Sequence, residues 1–332
     1  MASLSYNPGL ILVKLIKFVM VFHKYIAQPA QKKEVNMQKI VPHLWFDKEA
    51  AEAANWYVSL FENSGITGIT TLSETPSGNV EMVDFRLCDF NISAISAGPY
   101  FKINPSISFM VSCSTTEEVD RLYKAFIAGG TERMPLGEYP FTKRYAWIED
   151  RYGVNWQIMF DENANSPKFK PVLLFAEEAC GKAKEALSAY EEVFKTSKPS
   201  LVSYYKPGEA DDERAEVNYG EIDLLGTCLV VMDHGFGGGF TFNEAVSFMV
   251  LCKDQEEIDY YWDKLSFVPE AEQCGWVKDK FGVSWQIVPD NLNQVMFEGS
   301  EEEKKRITEA FLQMKKFDLK ALWQAREGST LV

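Results

Sequence analysis

From Gln38 onward the apolar residues change period at regular intervals. KIVPHLWF (39–46) reads as a strand, with Asp47 placed as the N-cap of a helix. That helix would bury Ala50, Ala53, Ala54, Tyr57, Leu60 and Phe61 and leave Glu52, Asn55 and Ser59 outside. Short strands are expected near 67–72, 80–87 and 91–97, then SISFMVSC (106–113). Thr115 and Glu118 have the spacing of a capping box, and Val119, Leu122, Tyr123 and Phe126 form the apolar face of a second helix, which Gly129-Gly130 ends. Strands near 131–136, 143–149 and 154–160 complete the unit, so the order is βαβββ twice.

After a polar linker, DENANSPK, the pattern restarts. KPVLLF (170–175) corresponds to VPHLWF, and the next helix carries Ala179, Ala183, Ala186, Tyr190, Val193 and Phe194. AVSFMVLC (245–252) matches SISFMVSC at an offset of 139, and Asp254 with Glu257 repeats the cap ahead of Ile258, Tyr261, Trp262 and Leu265. The plainest repeat is WIEDRYGVNWQIMFD (147–161) against WVKDKFGVSWQIVPD (276–290), at an offset of 129. The smaller offset means that the second copy lacks residues between its last helix and its last two strands, so its sixth strand is expected to be missing or reduced. The chain therefore divides into an extension (1–36), a first domain (37–162), a second domain (168–291) and a Lys/Glu-rich C-terminal helix (298–326) that packs on them through Phe311, Met314, Leu319 and Leu322.

Charge changes this picture at one place. The extension carries Lys14, Lys17, Lys24, Lys32 and Lys33 against Glu34, so it is +4 in a chain of net charge −14. Its apolar run, GLILVKLIKFVMVF (9–22), is shorter than the ~20 residues a membrane span needs. It reads as a basic amphipathic or targeting segment, or as a disposable extension. The acidic body argues against nucleic acid or an anionic membrane as partner. Six cysteines lie far apart with no CxxC or Cys/His metal spacing, which favours a reducing, cytoplasmic location.

The phrases NPSISF (104–109), NEAVSF (243–248), GVNWQI (153–158) and GVSWQI (282–287) resemble the PhnB-like branch of the vicinal oxygen chelate (glyoxalase/bleomycin-resistance) superfamily. The resemblance covers about residues 38–290 and implies an α+β fold of two tandem glyoxalase-like domains, with βαβββ modules paired into eight-stranded half-barrels and the second copy shortened. Members of this branch are often labelled 3-demethylubiquinone 3-methyltransferase domains. No strand followed by a GxGxG turn for S-adenosylmethionine is present, and GFGGGF (235–240) precedes a strand, so it reads as a loop and not a phosphate cradle.

Enzymes of the superfamily hold a divalent metal in each cup with His or Glu. Carried over, the eighth-strand position falls on Gln157 and Gln286, the fifth on Ser106 and Ala245, the fourth near Ala94 and Val230, and the first near Ile40 and Phe169. These are poor or empty ligands, so no metal and no other cofactor is expected. Period-two alternation turns Asn155, Gln157 and Met159 into one cup and Ser284, Gln286 and Val288 into the other, with Ser108 and Ser247 beside them. Trp156 and Trp285 then anchor the helices, Cys113 and Cys252 lie inert beneath them, and Asp150 and Asp279 cap turns. Trp147 and Trp276 either wall a ligand or fill the core.

Counting from Asp47, His43 falls on the face away from the cup as a structural residue, and His234 sits before the glycine loop as a possible lid. No nucleophile and base stand at useful spacing, so no catalytic residue is assigned. The leading expectation is metal-free binding of a small organic metabolite by Gln157, Gln286, Ser108, Ser247, Asn155, Ser284, Trp147 and Trp276. The alternatives are a lyase, isomerase or dioxygenase of the superfamily with displaced ligands such as His43 and Glu81, or a non-catalytic partner-binding protein. The chain would be a monomer with an internal pseudo-dimer, or a homo-oligomer.

Overall fold

A computed structural model describes residues 38–75, 78–195 and 199–328. The extension expected over 1–36 lies outside them. Four modules follow in order. The first contains β1 (Ile40–Phe46), α1 (Ala50–Leu60), β2 (Gly65–Thr75), β3 (Gly78–Leu87) and β4 (Phe90–Ser96). The second contains β5 (Ile107–Cys113), α2 (Thr116–Ile127), β6 (Thr131–Tyr139), β7 (Thr142–Glu149) and β8 (Asn155–Phe160). The third contains β9 (Phe169–Phe175), α3 (Ala183–Phe194), β10 (Leu201–Tyr204), β11 (Val217–Leu224) and β12 (Thr227–Asp233). The fourth contains β13 (Val246–Cys252), α4 (Gln255–Leu265), β14 (Trp276–Lys278) and β15 (Ser284–Pro289). A single 3₁₀ turn at Pro269–Ala271 stands where the second module has β6, as the shortened spacing led one to expect.

The modules combine into two mixed sheets, and each sheet draws on both copies. The seven-stranded sheet runs β14-β15-β13-β1-β4-β3-β2, and the eight-stranded sheet runs β10-β11-β12-β9-β5-β8-β7-β6. The first module is thus completed by the fourth, through β1 and β13 (Ile40 opposite Val250, Leu44 opposite Val246). The second is completed by the third, through β5 and β9 (Ile107 opposite Leu173). The architecture is α+β, with tandem glyoxalase-like domains, and each half-barrel is assembled across the copies.

What holds a copy to itself is the helix side of the sheets. Asp150 is 3% exposed; its Oδ1 accepts from the backbone N–H groups of Tyr152 and Val154, and its Oδ2 accepts from Tyr57 Oη (2.7 Å) and Trp156 Nε1 (2.8 Å). Tyr57 lies on α1 and Trp156 on β8, so one carboxylate ties the first module to the second. The second copy repeats this knot with Asp279, Tyr190 on α3 and Trp285 on β15 (2.8 and 2.9 Å). Burial raises the Asp150 and Asp279 pKa values, and the donated hydrogen bonds oppose that. The aspartates therefore do more than cap turns. Trp156 and Trp285 are fully buried against Phe126, Phe109, Phe194 and Phe248, the anchoring role read from strand parity.

The helix starts differ in one respect from expectation. Thr115 and Asp254 cap α2 and α4 by accepting from Glu118 N and Glu257 N. Asp47 does not cap α1; the Ala50 N–H is satisfied by Ser96 Oγ from β4, because a turn at 47–49 separates strand from helix. The C-terminal segment forms three helices, α5 (Leu292–Phe297), α6 (Glu301–Phe311) and α7 (Leu319–Glu327), where a single helix was expected. Ser300 and Asp318 each cap a new helix start, and the turn between α6 and α7 docks at the start of β14. Cys274 N donates to Met314 O and Gly275 N to Lys315 O, so this turn docks on the two residues that lead into β14. Among the described residues no helix is long and apolar enough to cross a membrane.

Candidate functional site

The concave face of the seven-stranded sheet is read from its register. Cα partners align Asp84 with Ser93, Ser93 with His43, His43 with Ser247, Ser247 with Ser284 and Ser284 with Lys278. One row of polar side chains therefore crosses six strands. His43, Ser93 and Ser284 are at most 2% exposed, and neither ring nitrogen nor either hydroxyl has a hydrogen-bond partner in the protein. Each such group ordinarily costs about 1–3 kcal/mol when buried unpaired, so three in one row call for a partner from outside the chain, a water or a ligand. Burial lowers the His43 pKa to about 4, which keeps the imidazole neutral. The Trp276 ring stands edge-on to it at 5.9 Å. Beside this row opens a cleft of about 260 Å³ lined by Val41, Met249 and Val288, with Ser93, Asp84 and Asp290 also in its lining.

The eight-stranded cup has the same frame and different chemistry. Its corresponding row runs Val230, Val172, Ser108 and Asn155, so Val172 stands where the other cup has His43. Its charge lies one position along, where Lys170, 5% exposed, donates to Glu221 Oε1 at 2.7 Å and Tyr219 Oη donates to the same carboxylate. The walls are thioethers and aromatics: Met110, Met159 and Met232, with Tyr145 and Trp147. His234 lies over this region, 6.2 Å from Trp147 and stacked on Phe240 at 5.3 Å, and burial lowers its pKa.

The glutamines and serines singled out in the sequence meet in pairs. Gln157 Nε2 donates to Ser108 Oγ at 3.0 Å, and Gln286 Nε2 donates to Ser247 Oγ at 2.9 Å. Gln157 Oε1 also accepts from Tyr145 Oη at 2.8 Å, while the matching position of the second copy is Cys274. Asn155 accepts from Trp147 Nε1 at 3.2 Å, whereas its counterpart Ser284 is unpartnered. Trp147 belongs to the wall of the eight-stranded cup and Trp276 to the packing around His43. Cys113 is buried under α2 with its thiol pushed up to about 12, and Cys252 is buried likewise.

Three placements differ from the sequence reading. His43 shares the face of Ser247 and Gln286, and so lies in the cup; the turn at 47–49 breaks the parity count from Asp47. Ile40, Phe169 and Ala94 lie on the other face in the main core, and the cup positions are Val41, His43, Lys170 and Ser93. Glu81 pairs with Ser96, three residues from Ser93, and so points away from His43. A divalent metal does not fit the donor set: His43 stands between Ser93 and Ser247 and against the Trp276 ring, and no group of three or more His, Cys, Asp or Glu that could hold an ion occurs among the described residues. Sequence reasoning missed the Lys170–Glu221–Tyr219 cluster, whose signal was a lysine inside the apolar strand FKPVLLF.

Residues 38–159 and 167–288 both match the family described as 3-demethylubiquinone-9 3-methyltransferase. No curated protein matches the chain. Among solved structures, a putative 3-demethylubiquinone-9 3-methyltransferase, PhnB protein, from Bacillus cereus is 35% identical over 37% of this chain and 100% of its own, with a TM-score of 0.35. A protein from Staphylococcus aureus is 29% identical over 37% of this chain and 97% of its own (TM-score 0.17). Glyoxalase I from Zea mays is 11% identical over 77% of this chain and 95% of its own (TM-score 0.47). With both halves matched, the chain belongs to the family described as 3-demethylubiquinone-9 3-methyltransferase, as two tandem domains.

Proposed function

We propose that the protein binds a small organic molecule in its half-barrel cups, oriented by neutral groups and not by a metal ion. The observation that carries this reading is the cleft of about 260 Å³ in the seven-stranded cup, lined by apolar Val41, Met249 and Val288 together with polar Ser93, Asn91 and Asp290. That combination suits a small-molecule site. Gln286, Ser247, Ser284 and Trp276 belong to the seven-stranded cup in this reading, and Gln157, Ser108, Asn155 and Trp147 to the eight-stranded one. The six free thiols support a reducing, cytoplasmic setting, and the pairing of the copies within one chain supports a monomer. Native mass spectrometry of the purified protein is the test. An organic adduct that dissociates on activation is the expected result. About one tightly held transition metal per cup, found by elemental analysis, would overturn the reading.

A further inference from the structure

We infer that Ser93 is the residue through which the cleft of the seven-stranded cup recognises its ligand, and that this ligand is a small, largely apolar molecule with one hydroxyl or carbonyl group. This rests on the cup being a small-molecule site and adds the size of the molecule and the group that reads it.

The first observation is which polar group the cleft leaves unused. Ser93 lines the cleft and is 2% exposed, and its Oγ has no hydrogen-bond partner among the described residues. His43 and Ser284, unpartnered in the same row, lie outside the lining, so Ser93 alone of the three borders the cleft. Gln38, also in the lining, is engaged: its Nε2 donates to Ile40 O and Asn91 O, and its Oε1 accepts from Asn91 N, which ties the start of β1 to β4. A buried hydroxyl without a partner is unfavourable, and a hydroxyl or carbonyl brought into the cleft relieves it. A hydrocarbon does not.

The second observation is the surface around that hydroxyl. Val41 faces Met249 across β1 and β13, and Leu251 faces Val288 across β13 and β15. All four line the cleft. Ser93 is the β4 partner of His43, which follows Val41 by two residues on the same face of β1. It therefore stands diagonally from Val41, roughly 7–8 Å away by ordinary sheet geometry. One ring with one substituent spans that distance. The volume agrees, since about 260 Å³ exceeds the roughly 150 Å³ that takes benzene in an apolar cavity and falls below the usual range of drug-sized sites.

The third observation is the contrast between the cups. In the eight-stranded cup Val230 and Val172 stand where this cup has Ser93 and His43. No hydroxyl is offered at that place, so the recognition belongs to one cup.

The experiment uses the full chain labelled with ¹³C at the methionine methyls, with the Met249 signal assigned through Met249→Leu. The probes are phenol and toluene, which differ by a hydroxyl in place of a methyl. Both are expected to move Met249. Ser93→Ala should weaken phenol severalfold and leave toluene unchanged or tighter, so the preference for phenol over toluene falls severalfold. Asp84 and Asn91 line the cleft too, so a preference for phenol in the wild type does not identify Ser93, whereas its loss in Ser93→Ala does. Because Ser93 Oγ has no partner among the described residues, the substitution orphans nothing there and should keep the wild-type urea midpoint. Ser93→Cys, close in size and a weak donor, is the second variant and should fall between the two. If the preference is the same in all three proteins, Ser93 does not read the ligand and the inference is wrong, while the cleft remains a small-molecule site. If neither probe moves Met249 at millimolar concentration, the inference and the reading beneath it both fall.

Discussion

A histidine that titrates near pH 4 leaves a mark on stability. In the unfolded chain His43 takes up its proton near pH 6.5, and in the fold burial holds that pKa to about 4. Between these values the unfolded state binds more protons, so stability is full above pH 6.5 and falls as the pH drops through the window, by at most about 1.4 kcal/mol per unit. His43→Val, which copies Val172 of the other cup, should remove that part of the acid limb. Urea midpoints of both proteins from pH 7 to pH 4 check this; parallel profiles would show that His43 is not held neutral. The two glutamines should also differ. Gln157→Ala orphans both Ser108 and Tyr145, and Gln286→Ala orphans only Ser247. With about 1–3 kcal/mol for each buried group left unpaired, the first should lose more stability than the second by thermal or chemical unfolding. Equal losses would indicate that Tyr145 finds another acceptor.

At the scale of elements, the C-terminal helices dock on Cys274 and Gly275, which lead into β14. Their docking depends on Gly275, whose φ of +87° suits glycine and whose Cβ, were there one, would lie 2.7 Å from the Phe317 ring and 2.9 Å from Ile287 O. Gly275→Ala should cost about 1–3 kcal/mol and loosen α6 and α7. Gly226 has a similar φ of +93° and open space around it, so Gly226→Ala isolates the backbone part. Equal destabilisation of the two variants would mean that contact with Phe317 contributes nothing. Proteolysis within 300–328 provides the second readout. This element was only half legible in the sequence. The apolar positions Phe311, Leu319 and Leu322 marked a packed segment, but the break after Phe311 comes from docking on β14, a contact no local pattern encodes. Strand identities and buried tryptophans were legible because period-two alternation is local. The face of His43 was not, since parity does not carry across the turn at 47–49.

At the scale of the molecule, the same limit hid the most consequential feature. Alternation says which face a strand buries and nothing about which strand lies beside it, so the repeat revealed four modules without revealing their pairing. The pairing makes each copy incomplete. A chain of residues 38–162 presents β1 and β5 with no strand on the side that β13 and β9 occupy in the full protein. It should therefore form a homodimer, each protomer supplying what the absent copy supplied, and light scattering after gel filtration should give twice the chain mass. A folded monomer would show that β1 and β5 can close on each other within one copy.

Module order also bears on synthesis. The second and third modules are neighbours along the chain, so the eight-stranded sheet can close as soon as β9 to β12 emerge. The first module must wait for the fourth, with about 200 residues between Phe46 and Val246. At ordinary translation rates that delay is on the order of 10–40 s. Until β9 covers it, a freshly made β5 offers the unpaired β1 edge a nearer but wrong partner. The nested sheet thus sets a race between early local closure and late correct closure, and slow assembly of the seven-stranded cup follows from the order of the modules alone.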